Sequence, residues 1–150
     1  MNRMANRDRR SEKLGECGSG VEAYALKRID AMFPHRDRQS GLITGIEWQC
    51  VEYARRWLIH NLGLTFADVL CACDIWRHIQ AYYRIDSEQA VRVESNLNGE
   101  ALPPGIGSLL IYGREYKGTG HVAVVTGVNF ESSEIRVCEA NYLNRYWPGD

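Results

Sequence analysis

Three residue types used in nucleophilic catalysis stand at distant positions of this 150-residue sequence: Cys50, His121 and Glu139. A thiol near the first turn of a helix is favoured as thiolate, the reactive form, because the helix dipole is positive there. A histidine can take the thiol proton, and a carboxylate can fix the tautomer of the imidazole. Taken singly, each residue has an ordinary alternative: a small buried cysteine, a solvated histidine and a glutamate that emerges into solvent.

Two helices are predicted, and Cys50 lies near the start of the first one. Apolar side chains recur at three- and four-residue steps from Glu47 to Leu62, which predicts one amphipathic helix with Cys50 near its start. Gly63 suits the C-terminal cap, and Thr65–Asp68 resembles a capping box. A second helix is predicted from there to about Tyr83, and its core positions would be Val69, Ala72, Ile75, Trp76 and Ile79.

Strand-like segments are predicted to carry the other two residues. Residues 21–46 suggest short extended pieces, and 84–104 read as a loop that ends in two prolines. The runs 107–112, 121–128 and 134–140 have strand character. Because neighbours in sequence tend to pair, Glu139 or Asn141 is expected to reach His121. Helices followed by strands predict an α+β fold with an antiparallel sheet.

Residues beside the thiol are secondary candidates. Gln49 is a candidate donor to a developing oxyanion, or else a surface amide. Trp48 is either a core residue or a wall of a substrate cleft. Cys71, Cys73 and Cys138 are interpreted as packing residues, because their spacing does not fit a zinc site.

Composition excludes several classes of protein. The net charge is −1 and hydrophobic residues make up 45%, which predicts an ordinary globular protein without a dominant attraction to nucleic acid or anionic membrane. The N-terminus lacks the apolar run of a secretory signal. The odd number of cysteines, five, predicts reduced thiols in the cytoplasm. Residues 1–20 are expected to be flexible and residues 21–150 to form one domain.

The segment WQCVEYARRWL (48–58) is similar to the CHAP domains, the cysteine, histidine-dependent amidohydrolases/peptidases. It resembles more narrowly the amidase domains of glutathionylspermidine and trypanothione synthetase/amidases. The likeness continues through GLTFADV (63–69), LLIYGREYKGTGHVAVVTGV (109–128) and CEANY (138–142). It implies a papain-like fold, with Cys50 as nucleophile, His121 as base and Glu139 as third catalytic member. Asn141 and Arg55 match residues that order such a site.

The same resemblance implies hydrolysis of an amide between glutathione and a polyamine, without a metal or an organic cofactor. Two alternatives stay open: a peptidase that cuts peptidoglycan cross-bridges, and a binding module that has lost turnover. The expected partner is a small-molecule or peptide amide, and the oligomeric state is left open. The sequence stops eleven residues after Glu139, whereas the related domains continue into further strands, so a shortened domain is also expected.

Overall fold

The computed structural model describes residues 11–17, 20–27 and 33–148 and is a mixture of α and β structure. Its helices are α1 (Cys50–Leu62) and the single turn α2 (Ile75–His78), which a 3-10 turn (Ala72–Asp74) precedes. Its strands are β1 (Lys13–Glu16), β2 (Glu22–Tyr24), β3 (Pro34–Arg36), β4 (Ile43–Ile46), β5 (Leu64–Thr65), β6 (Ala81–Arg84), β7 (Ala90–Arg92), β8 (Leu109–Tyr112), β9 (His121–Asn129) and β10 (Glu134–Cys138).

The strands form small antiparallel sheets. The described residues contain two hairpins, β1–β2 and β3–β4, and two three-stranded sheets ordered β5–β6–β7 and β10–β9–β8. The last sheet is the one that the strand-like runs predicted, and the expected pairing of β9 with β10 is confirmed. Its central strand, β9, is buried over His121–Val125, as a strand covered on both faces should be.

Helix α1 forms where the apolar stripe predicts a helix, but it begins at Cys50 rather than Glu47. Residues 46–49 make a turn instead, in which the Gln49 N–H donates to the Ile46 carbonyl. Gly63 ends the helix in the left-handed conformation with φ 62°, which a residue without Cβ adopts at no steric cost. Tyr53 and Leu58 of α1 share one buried core with Val122 of β9.

The prediction of a long second helix is wrong. Thr65 belongs to β5, and helical structure is limited to the short turns between Ala72 and His78. Tyr82 and Tyr83 pair instead with Val91 and Ala90 of β7. Ladder hydrogen bonds to two neighbouring strands thus outweigh a helical period, since aromatic residues also favour strands. Trp76, expected in the core, is 43% exposed.

Two further expectations need correction. Lys13–Glu16 lie in the segment expected to be flexible, yet they pair with β2; residues 1–10 and 18–19 lie outside the described residues. The predicted loop 84–104 contains β7. No helix within residues 11–17, 20–27 and 33–148 combines the length and apolarity that crossing a membrane requires.

Candidate active site

Cys50 is the first residue of α1. The preceding Gln49 is extended, with φ −76° and ψ 159°, and no side chain caps the helix start. The first N–H groups of a helix lack partners inside the helix and carry its positive dipole end. The half-buried Cys50 therefore stands where both features favour negative charge.

His121 is the first residue of β9 and is 2% exposed. Gly120 before it has φ 71°, and a Cβ there would lie 2.4 Å from the Tyr112 carbonyl oxygen and 2.8 Å from the Cys73 Cβ. The chain passes between these two groups because residue 120 has no side chain. The close approach brings the loop before β9 onto the 3-10 turn and fixes where the imidazole begins.

Glu139 follows directly after β10 and reaches the histidine. Cys138 lies opposite Val124 in the ladder, past a bulge between Arg136 and Val137. The next residue is thereby directed to the start of β9, where His121 Nε2 and Glu139 Oε2 are 2.7 Å apart. A short contact between a ring nitrogen and a carboxylate is a charge-assisted hydrogen bond.

The same imidazole interacts with the Cys50 thiol. Burial alone would lower the pKa of His121, but hydrogen bonds to Cys50 and Glu139, with the charges of both, raise this pKa to about 9. Since Nε2 is bonded to Glu139, Nδ1 is the nitrogen left for the sulfur. Three residues that are 71 and 18 positions apart in sequence thus meet at one ring, and the two neighbours favour the protonated form of this imidazole.

Gln49 and Asn141 lie next to this group and contact each other. Asn141 Nδ2 donates to Gln49 Oε1 over 3.0 Å, so the residue before the thiol is tied to the segment after Glu139. Asn141 has φ 58°, a conformation that asparagine tolerates better than most residues. The bond leaves the Gln49 amide N–H groups available for another acceptor.

The other two candidates face different neighbours. The Arg55 guanidinium donates to the Thr44 carbonyl over 3.0 Å and to Asp68 over 3.4 Å, so it ties α1 to β4 and to the segment after β5. Trp48 is not helical, and its indole packs on Tyr24 and His35 at ring distances of 4.5 and 4.9 Å. Arg55 thereby holds α1 in place, whereas Trp48 packs beside the start of α1 against β2 and β3.

Sequence reasoning missed three tyrosines that surround the imidazole. The ring centroids of Tyr142, Tyr112 and Tyr116 lie 5.2, 5.4 and 5.8 Å from that of His121. One signal was available, because β8 and β9 were both predicted as strands, and Tyr112 lies directly opposite His121 in the ladder that they form. The positions of Tyr116 and Tyr142 depend on loop paths that no periodicity encodes.

Sequence reasoning also missed a buried ion pair one turn into α1. Glu52, which is fully buried, accepts hydrogen bonds from Thr44 Oγ1 at 2.9 Å and Arg56 Nε at 2.8 Å. Arg56 donates further to the Glu22 carbonyl over 2.9 Å. A Cβ at Gly45 would lie 3.2 Å from the Glu52 Cα, so β4 packs closely on the helix.

Within residues 11–17, 20–27 and 33–148, no three His, Cys, Asp or Glu side chains are grouped so that they could hold a metal ion. No disulfide bond joins any of the five cysteines, all of which lie in those ranges.

Comparison with known proteins places this geometry in a family. The model of the CHAP domain matches residues 42–141, a range that contains Cys50, His121 and Glu139. The chain is 35% identical over 106 residues to the bifunctional glutathionylspermidine synthetase/amidase of Escherichia coli (strain K12), which covers 69% of the chain and 17% of that protein. It is 29% identical over 137 residues to the trypanothione synthetase of Crithidia fasciculata, and this match covers 91% of the chain and 21% of that protein.

A third relative is the glutathionylspermidine synthase of Crithidia fasciculata, 31% identical over 108 residues, with 71% of the chain and 15% of that protein covered. The chain thus spans about a fifth or less of the length of these curated relatives. The family model covers two thirds of the chain, from the start of β4 to Asn141, which donates a hydrogen bond to Gln49. The chain belongs to the CHAP domain family.

Proposed function

We propose that this chain is a thiol-dependent amidase that hydrolyses a C–N amide bond through a thioester. Membership of the CHAP family supports a hydrolase role. The observation that carries the proposal is the single imidazole of His121, which interacts with both the Cys50 thiol and the Glu139 carboxylate. Nucleophile, base and orienting carboxylate are the parts that such chemistry requires.

In the first half of the reaction, the Cys50 sulfur attacks the amide carbonyl carbon. His121 takes the thiol proton, and Glu139 stabilises the resulting positive charge through the Nε2 hydrogen bond. The tetrahedral intermediate collapses when the C–N bond breaks, and His121 gives its proton to the leaving nitrogen. The products of this half are a free amine and an acyl thioester on Cys50.

In the second half, His121 removes a proton from water, which attacks the thioester carbonyl and releases a carboxylic acid and the thiol. The oxygen that becomes negative in both halves needs hydrogen-bond donors. The N–H groups at the start of α1, which no side chain caps, belong to the same helical turn as Cys50, and Gln49, held by Asn141, offers its amide N–H. One such donor is typically worth about 10²–10³ in rate.

The proposed substrates are glutathionylspermidine and trypanothione-type conjugates, which hydrolysis would split into glutathione and a polyamine. The support is the names of the relatives, one of which is a bifunctional glutathionylspermidine synthetase/amidase. From that name we extend only amide hydrolysis to this chain. We also propose that the chain has a papain-like fold and acts in the cytoplasm. No ligation is proposed.

The test incubates the full chain with glutathionylspermidine and measures released spermidine and glutathione. We expect turnover by the parent, none by Cys50→Ala, and parental turnover by Cys71→Ala, which removes a half-buried thiol from another element. Turnover by Cys50→Ala would remove Cys50 as nucleophile. A second arm with purified peptidoglycan would redirect the proposal to wall peptides if muropeptides alone were released.

Iodoacetamide at neutral pH provides a check without substrate. Preferential alkylation of Cys50, lost in His121→Gln, is the expected result for an activated thiolate. Equal and slow alkylation of all five cysteines would indicate a binding module without turnover and would overturn the proposal.

A further inference from the structure

Three tyrosine rings lie around His121, and we call them the tyrosine enclosure. Tyr142, Tyr112 and Tyr116 are inclined to the imidazole by 54°, 64° and 53°. All three centroid distances, 5.2, 5.4 and 5.8 Å, are within the roughly 6 Å at which a cation over the face of an aromatic ring is attracted to that ring. A histidine that becomes positively charged during catalysis is therefore placed among aromatic rings.

The rings are fixed in position by contacts from separate segments. Tyr116 Oη and Lys117 Nζ both donate to the Tyr142 carbonyl, over 3.1 and 2.8 Å. The rings of Tyr116 and Tyr142 are parallel, with their planes inclined by 1° and centroids 5.6 Å apart. Tyr112 is held opposite His121 by the β8–β9 ladder. The loop before β9 is thus fastened to the segment that follows Glu139.

We propose that this tyrosine enclosure, Tyr142 above all, is a positioning element that stabilises the protonated form of His121 by cation–π attraction. The inference rests on the proposed function in one respect: the imidazolium matters because it is the proton donor to the leaving amine. The three tyrosines act through His121 and are not assigned any contact with substrate.

The charged and titratable groups that face the imidazole come from each neighbouring element. Cys50 approaches from α1 and Glu139 from the end of β10, and both favour the positive charge. Tyr112 approaches from β8, Tyr116 from the loop and Tyr142 from the segment after β10. Lys117 Nζ lies over the Tyr116 ring, 5.4 Å from its centroid, so this ring already makes a cation–π contact with a lysine. Tyr142, the nearest ring, is expected to contribute most.

The test compares two substitutions that bury the imidazole similarly and differ in the aromatic ring. Tyr142→Phe keeps the π face, while Tyr142→Leu keeps apolar bulk and removes the π face. The titration of the His121 ring proton is followed by two-dimensional NMR in the full chain and assigned with His121→Gln. We expect Tyr142→Leu to lower the pKa of His121 by about half a unit to one unit and Tyr142→Phe to leave it within about 0.2 unit.

An unchanged or raised pKa of His121 in Tyr142→Leu would overturn the proposal, since the ring would then act through burial alone. Tyr112→Leu supplies a second variant should Tyr142→Leu fail to fold, and a smaller decrease of the same sign is expected. Tyr83→Leu, at an exposed position of β6, is the matched control and should leave the titration unchanged.

The titration needs no substrate, so it separates this inference from the proposed function. If the parent has no amidase activity and the pKa still falls in Tyr142→Leu, the enclosure stands and the reaction does not. If amides are hydrolysed, the alkaline limb of the pH profile of kcat/KM should move to lower pH in Tyr142→Leu while the acidic limb stays. A variant that lost activity equally at every pH would indicate a merely structural role.

Discussion

Two ion pairs of this molecule each join a cationic side chain to a glutamate, but they differ in burial and in what they can do. Both residues of the Arg56–Glu52 pair belong to α1, and hydrogen bonds join the pair to β4 and β2. Glu52 accepts hydrogen bonds from Thr44 as well as Arg56. The His121–Glu139 pair lies at the ends of β9 and β10, and the Glu139 side chain is 23% exposed. One pair is enclosed and fully bonded, whereas the other is partly open and has a thiol as its third member.

The difference follows from the cation. Guanidinium keeps its proton throughout the accessible pH range, so the Arg56–Glu52 pair can only hold elements together. Imidazole can lose its proton near neutrality, so the His121–Glu139 pair can pass one on. Because the His121–Glu139 pair lies beside Cys50, it can transfer protons in the proposed reaction, whereas the Arg56–Glu52 pair can only stabilise the fold. The predictions test this difference between the two pairs.

The largest expected effect comes from removing the imidazole. We expect His121→Gln to lower kcat/KM for glutathionylspermidine by about 10⁴–10⁶, because both the base and the proton donor are lost. The measurement is steady-state release of spermidine, with far-ultraviolet circular dichroism as a check that the variant folds. Retention of a tenth of the parental rate would contradict the role of the pair.

The next largest effect is on stability, at the enclosed pair. Arg56→Met leaves the fully buried Glu52 carboxylate without its cation, and we expect the free energy of unfolding to fall by about 3–5 kcal/mol. Urea unfolding measures this change. The double variant Glu52→Leu/Arg56→Met is the control, since removing both charges should restore most of the loss. A double variant as unstable as Arg56→Met would mean that packing, not charge, holds this region.

A smaller effect on activity is expected at the open pair. Glu139→Gln keeps the size of the side chain and removes the charge that orients and stabilises the imidazolium, so we expect kcat to fall by about 10²–10³. The unfolding transition should change little, because this carboxylate reaches solvent. If Glu139→Gln instead lost as much stability as Arg56→Met with full specific activity, the assignment of the two pairs would be reversed.

Local patterns predicted the parts of the molecule that local forces decide. The apolar stripe and Gly63 predicted α1 to its last residue. A short apolar run predicted β8, β-branched residues predicted β9, and alternation predicted β10. Since β9 and β10 are adjacent in sequence, their pairing followed, and with it the proximity of Glu139 to His121. The approach of Cys50 is different, because its 71-residue separation from His121 became an expectation through family resemblance.

The rest depended on contacts between segments distant in the sequence. Residues 81–83 belong to the predicted second helix, yet they form part of β6 because β5 and β7 flank this strand. The first turn of α1 starts later than predicted because the Glu47 N–H donates to the Phe33 carbonyl. The tyrosine enclosure depends on side chains converging on the Tyr142 carbonyl. In each case a hydrogen bond to a remote partner decides a structure that the local sequence leaves open.

The smallest expected effect is a displacement along the pH axis. The pKa of His121 is raised to about 9, so the proton donor is present below this pH and is lost as the pH rises through it. We expect kcat/KM to fall about tenfold per pH unit above that limb, and the limb to move to lower pH in Glu139→Gln, which lacks the stabilising charge. The profile is measured from pH 6 to 10.5.

His60→Gln, which alters another histidine–carboxylate contact (to Asp37, 2.8 Å), should leave the limb in place. A limb near 6.5 in the parent, the usual pKa of a free histidine, would mean that His121 gains nothing from its neighbours.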